Sequence, residues 1–389
     1  MGNFYLIILD GVGCGHQEDA HLYGDVGSNT LGHTINQIKP LLPNFGKLGL
    51  GNIIPLDTVP PVLDSLCAWG KMREVSPGKD STTGHWEIAG IEMNHAFPTY
   101  PNGFPENVLR AYCNGTGVDG VLSNKPYSGT DVIRDFGDEH MRSGKPIVYT
   151  SADSVFQIAA HTDVVSLEKL YEWCAFARDN VMVGEHAVGR VIARPFAGET
   201  GNYYRLSDQR KDFSLQPPEP NVLNELQKSG IKTCSVGKVI DLFGGVGFTQ
   251  YRKTRNNAEG ISQLLSVMSA VENSFVFVNL IDTDQLFGHR NDAEGFAESL
   301  EEFDRAIPAI INKLKPDDVL VITADHGNDP TTGSTDHARE FVPLLVYPKE
   351  AAEQDDLAIR GCFSDVACSV MHYFGKEYTF KGNSFLRSE

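Results

Sequence analysis

Residue types that bind divalent cations recur at a few abrupt turns of this chain. Asp10 follows the apolar run Tyr5–Leu9. Asp284 and His289 lie in Asp282-Thr-Asp-Gln-Leu-Phe-Gly-His289, and Asp325 and His326 are adjacent in Thr323-Ala-Asp-His-Gly-Asn-Asp329. His337 follows in Gly333-Ser-Thr-Asp-His337. Mixed carboxylate and imidazole donors suit Mn²⁺ or Zn²⁺ better than Ca²⁺. Two such ions about 3.5–4 Å apart can hold a phosphate and stabilise the attacking and leaving oxygens together. A single Asp after a strand is commonly a helix cap, and an isolated His commonly structural. An Asp-His pair in one turn directly after a buried strand is harder to explain that way, and the three groups support one another. The other part needed is a hydroxyl. Lys79-Asp-Ser-Thr-Thr-Gly-His-Trp-Glu87 offers three before Gly84. Such a run is ordinarily a turn or cap, and spacing alone does not select among Ser81, Thr82 and Thr83.

The elements that must position these groups are legible as apolar runs ending in polar or glycine turns. Tyr5–Leu9, Thr233–Val236, Phe275–Leu280 and Val319–Thr323 read as strands buried on both faces, as in a parallel sheet covered by helices. Ligands of open α/β sheets bind beyond the carboxyl ends of such strands. Helical spacing of Phe296, Leu300, Phe303, Ile307 and Leu314 predicts a helix over 295–314, with Pro308 kinking or dividing it. A shorter helix, Val222–Lys228, ends at Ser229-Gly230. Residues 97–213 are richer in Gly, Pro and Asn and lie between proline clusters at 98–105 and 217–220. They read as an inserted cap domain, leaving 1–96 and 214–389 as a discontinuous core. The expected fold is α/β, a mostly parallel central sheet flanked by helices plus a smaller α/β insertion.

The net charge of −18 argues against nucleic-acid or anionic-membrane partners, and it requires local cations if phosphates are to bind. Seven cysteines, an odd number with no Cys-x-x-Cys pair, read as reduced thiols. No apolar stretch approaches a membrane span and no signal-like segment opens the chain, so a cytoplasmic protein is expected. Its oligomeric state is open, a monomer being compatible.

The segment Lys79–Glu87 resembles the Gly-Lys-Asp-Thr-x-Thr-Gly-His-Trp-Glu signature of phosphopentomutases, members of the alkaline phosphatase superfamily. Further segments follow that family in order: Asp10-Gly-Val-Gly-Cys-Gly15, Lys47-Leu-Gly-Leu-Gly-Asn52, Tyr149-Thr-Ser-Ala-Asp-Ser154, Val188-Gly-Arg-Val-Ile-Ala-Arg-Pro195 and Thr323–Pro330. The resemblance implies an alkaline-phosphatase-like core with two Mn²⁺ ions. One would be held by Asp284, His289 and His337, the other by Asp10, Asp325, His326 and the oxygen of the nucleophile. The family's phosphorylated residue is the Thr directly after Asp, a position held here by Ser81. Related phosphoglycerate mutases place a Ser three residues before the same Gly-His, so the resemblance assigns Ser81. It also implies a substrate contact from Asp153, small sugar phosphates as partners, and glucose 1,6-bisphosphate or a pentose bisphosphate as activator. Arg190 and Arg205, whose guanidinium forks grip phosphate, and Lys238, at a strand end beside glycine, are the local cations expected at phosphate and ribose. The implied reaction interconverts ribose 1-phosphate and ribose 5-phosphate through a phosphoserine. The alternatives are a metal-dependent sugar-phosphate hydrolase or a phosphoglycerate-mutase-like enzyme on the same core.

Overall fold

The computed structural model describes residues 2–151 and 153–388. It separates into two units, Met1–His95 with Pro217–Glu389, and Ala96–Gln216, each built on its own sheet. In chain order the first unit opens with β1 (Phe4–Leu9) and β2 (Ala68–Met72). The second unit holds β3 (Leu122–Pro126), β4 (Ile147–Thr150), β5 (Val155–His161), β6 (Arg190–Glu199), β7 (Asn202–Arg205) and β8 (Lys211–Ser214). The chain then returns to the first unit with β9 (Lys232–Val236), β10 (Gln250–Arg252), β11 (Ser274–Leu280), β12 (Val319–Thr323), β13 (Val342–Tyr347) and β14 (Asp356–Arg360).

The first sheet has the order β10-β9-β11-β1-β12-β13-β2-β14. Strands β10, β9, β11, β1 and β12 run parallel, and β13 is antiparallel to both neighbours. The four apolar runs legible in the sequence therefore lie side by side, in one direction, at its centre. Every residue of β1, β11 and β12 is buried, which requires cover on both faces. On the face of Leu9 and Ile322, the helices Thr30–Ile38, Pro43–Leu48 and Ala293–Ile311 pack together around Leu31, Phe45 and Leu300. On the opposite face, His85 of the helix Ser81–Ile88 stacks on Phe277 of β11, and Phe243 meets the same ring edge-on. Because the central strands are parallel, the residues after β1, β9, β11 and β12 emerge at one edge. Those residues are Asp10, Gly237-Lys238, Asp282–Asp284 and Asp325-His326.

Two helices test the local reading. Val222–Lys228 forms as expected, with Asn221 in a reciprocal capping box and Gly230 at φ 75° beyond its end. Pro308, in contrast, does not divide its helix, and Ala293–Ile311 runs through it as one element. The carbonyl that a proline at 308 leaves without an intrahelical donor is that of Asp304. Asn44 Nδ2 donates to it at 3.0 Å, so the proline is accommodated by a neighbouring helix.

The second unit is a sheet of order β3-β4-β5-β6-β7, with β8 paired to β6. Val108, Tyr112, Leu170 and Trp173, from helices Glu106–Thr116 and Leu167–Phe176, cover one face over Phe156, Ile158 and Val191. Val132 and Ile133 of helix Asp131–Ser143 cover part of the other over Ile147, Ala159 and Phe196. The seven cysteines are unpaired, as the sequence implies. Among the described residues no helix is long and apolar enough to cross a membrane.

Two buried charges brace the segments around the site edge. Arg339 donates to the carbonyls of Glu74, Ser76 and Gly78 at 2.7–2.8 Å and pairs with Asp19 and with Glu74 Oε2. It thereby ties the stretch leading to Ser81 to the stretch following His337. Glu340 accepts from the amides of Gly15 and Thr30 and from the Thr30 hydroxyl. Removing one member of a buried, hydrogen-bonded ion pair costs roughly 3–5 kcal/mol. Arg339→Ala is expected to lose stability on that scale in urea titrations of the apoprotein. Burial pushes the Glu340 carboxyl up to about 7. The unfolded chain ionises this group near the ordinary glutamate value, so between that value and about pH 7 the folded state retains an extra proton. Stability should therefore fall as pH rises through this window. Glu340→Gln should be less stable throughout but show a smaller slope there, read from denaturation midpoints across pH.

Candidate metal centre

Asp10 leaves β1 fully buried, and its two oxygens have different surroundings. Oδ2 accepts from Asn279 Nδ2 at 2.8 Å, while Oδ1 has no hydrogen-bond partner and faces His326 Nε2 at 3.4 Å. Asp325, after β12, accepts from the Gly11 amide at Oδ1. Its Oδ2 lies 3.4 Å from His326 Nε2 and 3.1 Å from His85 Nδ1. Asp284 sits in the short helix Thr283–Phe287 beyond β11, with Oδ1 accepting from Asn328 Nδ2 at 2.7 Å. His337 Nε2 approaches that oxygen to 3.3 Å, and His289 Nε2 approaches Asp284 Oδ2 to 3.4 Å.

Two sets have donor atoms within 4.8 Å of one another: Asp10, Asp325 and His326; and Asp284, His326 and His337. His326 belongs to both, and its ring lies 4.1 Å from that of His337. His289, expected beside Asp284 and His337, stands at the outer side of the second set, its ring 4.7 Å from His337. The sharing of His326 between the two sets was not legible in the sequence.

Hydrogen bonds decide which atoms are free to bind an ion. His326 Nδ1 lies 3.0 Å from the Gly327 carbonyl and His289 Nδ1 2.7 Å from that of Thr335. Each Nδ1 therefore carries a hydrogen, and each Nε2 faces the carboxylates, where it holds a proton or, on losing it, offers a lone pair. Asp10 Oδ1, Asp325 Oδ2 and His337 Nε2 are buried without hydrogen-bond partners. A buried lone pair facing other lone pairs is unfavourable unless a cation or proton stands between them. The donor set thus fits divalent cations, and the orphaned atoms are the ones that would ligate.

The titration behaviour has the same cause. Burial, then Asp325 and Asp284, pushes Asp10 above the usual carboxylate range. Burial also pushes Asp284 upward, but His337 and His289 outweigh it and hold the group well below that range. For His326, burial disfavours the cation, yet Asp325, Asp10 and Asp284 together raise it well above the ordinary histidine value. His289 is raised to about 9, chiefly by its bond to Asp284. Protons are drawn to where positive charge is lacking.

Ser81 opens the helix Ser81–Ile88, whose cap Asp80 accepts from the amides of Thr82 and Thr83. Ser81 Oγ lies 3.2 Å from His326 Nε2, whereas the Thr83 hydroxyl is directed to Asp80 Oδ2 at 2.6 Å. Gly84 permits this approach, because a Cβ there would stand 2.2 Å from the Asp325 carbonyl oxygen. Gly11, at φ 75°, makes the turn after Asp10 against Asp284. Lys238 begins the short helix Val239–Leu242 beyond β9. Arg190, Arg205 and Asp153 lie in the second unit: Arg190 is 3.6 Å from both Asp153 and Asp212, and Arg205 ends β7.

Sequence reading missed the supporting polar groups. Asn279 is a polar residue near the end of the otherwise apolar run Phe275–Leu280, which was the available signal. Asn328 orients Asp284, and Thr283 donates to the Asp10 carbonyl at 2.6 Å. Lys79 Nζ lies 3.2 Å from Asp25 and from Asp336, next to His337. His33 Nδ1 is 2.7 Å from buried Asp329.

Comparison with known proteins gives the family. A family model for the metalloenzyme superfamily matches residues 2–378. The phosphopentomutase of Caldanaerobacter subterraneus subsp. tengcongensis is 51% identical over 98% of this chain and 96% of its own. That of Acetivibrio thermocellus is 51% identical over 98% of each, and that of Deinococcus radiodurans 49% identical over the same shares. With identity of this order running from end to end, the chain belongs to the phosphopentomutase family of the metalloenzyme superfamily.

Proposed function

We propose that this protein interconverts ribose 1-phosphate and ribose 5-phosphate, and their deoxyribose equivalents, in the cytoplasm. In this reading Ser81 carries the phosphoryl group. The observation that carries the assignment is the Ser81 hydroxyl 3.2 Å from His326 Nε2, in a chain half identical to phosphopentomutases. Asp284, His289 and His337 would hold one Mn²⁺, and Asp10, Asp325, His326 and Ser81 Oγ the other. When bound, these ions supply charge neutralisation for the phosphoryl oxygens and lower the pKa of the Ser81 hydroxyl.

The chain's own part is positioning. Asp80 caps the helix and engages the Thr83 hydroxyl, leaving Ser81 as the oxygen turned to His326. In the charging step a bisphosphorylated sugar, glucose 1,6-bisphosphate, gives one phosphoryl group. The Ser81 Oγ–P bond forms, the sugar O–P bond breaks, and the serine proton ends on the released hydroxyl. The pentose monophosphate then takes the group through its free hydroxyl, regenerating Ser81 and forming a pentose bisphosphate. Return of the other phosphate completes the isomerisation. Asp153, Arg190, Arg205 and Lys238 are assigned to the sugar and its non-reacting phosphate, since guanidinium groups bind phosphate bidentately. The inserted unit would act as a cap that keeps water from the phosphoserine.

The test is conversion of ribose 1-phosphate to ribose 5-phosphate with Mn²⁺ and a trace of glucose 1,6-bisphosphate, monitored together with free phosphate. Isomerisation without steady phosphate release is expected. Phosphate as the main product would instead make the protein a hydrolase. Ser81→Ala should reduce turnover by at least about 10³-fold, the scale on which a nucleophile acts. Mass spectrometry should find phosphate on Ser81, and a phosphorylated Thr82 or Thr83 would refute the assignment. Because His289 is raised to about 9, an ion bound there must displace a proton at neutral pH. Adding Mn²⁺ to lightly buffered apoprotein at pH 7 should acidify the solution, and loading should tighten as pH rises toward 9.

A further inference from the structure

His85 and Asn279 lie between the two carboxylates of the first donor set, and neither has a part in the reaction as described so far. Asn279 Nδ2 is 2.8 Å from Asp10 Oδ2 and 2.9 Å from His85 Nε2. A carboxylate oxygen can only accept, so the amide nitrogen must face Asp10, and its second hydrogen then points at His85. This makes His85 Nε2 an acceptor and puts the ring hydrogen on Nδ1. That Nδ1 donates to the Ser81 carbonyl oxygen at 2.8 Å, and the same nitrogen stands 3.1 Å from Asp325 Oδ2, close enough to hold that oxygen electrostatically without forming a hydrogen bond to it. The ring is fully buried and stacked on Phe277 at 15°, which fixes its plane.

The pair therefore has one internally consistent arrangement of hydrogens, running from Asp10 through Asn279 and His85 to the Ser81 carbonyl, with Asp325 Oδ2 beside the same His85 nitrogen. The arrangement leaves Asn279 Oδ1 buried without a partner. Reversing the amide would set an oxygen against Asp10 and against the lone pair of His85, so the orphaned carbonyl marks which contacts the site requires. With Asp10 Oδ2 occupied by Asn279, the other oxygen, Oδ1, is the one turned toward His326 Nε2.

We infer that His85 and Asn279 are positioning residues that lock the orientation of Asp10 and Asp325 as cation ligands and tie Ser81 to them. Neither ligates nor touches substrate. The inference rests on the proposed assignment of Asp10 and Asp325 as ligands and adds the means by which both are held. It differs from an ordinary packing role because a specific hydrogen position, not the ring's volume, carries the effect.

The experiment counts bound Mn²⁺ and measures its Kd from the free-ion electron paramagnetic resonance signal, with circular dichroism reporting the fold of each apoprotein. Variants are Asp325→Asn, His85→Leu, His85→Asn and Asn279→Leu. Asp325→Asn is expected to weaken one of two ions. His85→Leu should weaken that same ion by about 10–100-fold, the usual effect of losing a group that orients a ligand, and leave the other unchanged. His85→Asn, whose amide nitrogen can stand in for Nδ1, should recover much of the loss although its volume is smaller. Asn279→Leu should weaken the same ion through Asp10, and it decides the matter if His85→Leu does not fold. Wild-type Mn²⁺ affinity in a folded His85→Leu or Asn279→Leu protein would overturn the inference, as would failure of His85→Asn to exceed His85→Leu. Unchanged Mn²⁺ binding in Asp325→Asn would instead overturn the ligand assignment itself.

Discussion

Asp10, Asp284 and Asp325 are buried together at one edge of the sheet, and most of the surrounding structure follows from the charge they bring there. Like charges in a weakly polarisable interior repel strongly, and each has also given up hydration. Such a cluster persists only if positive charge enters it. In the protein alone, protons supply part of it, which is why Asp10 and His326 are both raised while Asp284 and Asp325 are lowered. Divalent cations supply it more completely, and the buried lone pairs of Asp10, Asp325 and His337 are aimed where such ions would stand. The site is therefore a source of instability in the chain that becomes stabilising on loading.

Holding that cluster rigid requires more than the strands that deliver it. The parallel register of β11, β1 and β12 fixes where the three acidic turns begin, because Ile7 pairs with both Val278 and Ile322. The turns themselves are then braced from below. Arg339 gathers the carbonyls of 74, 76 and 78, Glu340 gathers the amides of 15 and 30, and Gly84 admits the helix of Ser81 to the Asp325 carbonyl. Each brace joins segments far apart in sequence, so disturbing one displaces Ser81 relative to the acidic turns.

Much of this was legible in the residues. The four central strands announced themselves because a strand buried on both faces must be apolar throughout, and the acidic turns stood out because charge directly after such a run demands a reason. The short helix at 222–228 was legible because cap and stop are local signals. What was not legible depended on contacts distant in sequence. Pro308 reads locally as a break, and only the Asn44 side chain, 264 positions earlier, makes it tolerable. The sharing of His326, the outer place of His289 and the role of Asn279 follow from where separate strands end, which spacing along one chain does not encode. Ser81 was singled out by its resemblance to a family. The bond between Thr83 and Asp80 is the physical reason the neighbouring hydroxyl is unavailable.

The overall charge of −18 sharpens the question of how phosphates are bound, since the far field repels them and the three buried carboxylates add to it. Two ions of charge +2 would more than neutralise those three carboxylates. The second unit gathers cations locally. Pairing of β6 with its neighbours puts Arg190, Arg194 and Arg205 on the same face as Gln157 and Asp212, with Arg210 bound to Asp212. Val132 and Ile133 of helix Asp131–Ser143 cover that face over Ile147, Tyr149, Ala159 and Phe196, while Arg190 and Arg194 lie toward its other end. Arg194 is held below the ordinary arginine value, first by burial, and its Nε donates to Gln157 rather than to an acid. Guanidinium groups kept together with fewer acids than they could pair with carry an electrostatic cost of their own. An anion would relieve part of that cost, much as divalent cations would relieve the crowding of carboxylates in the first unit.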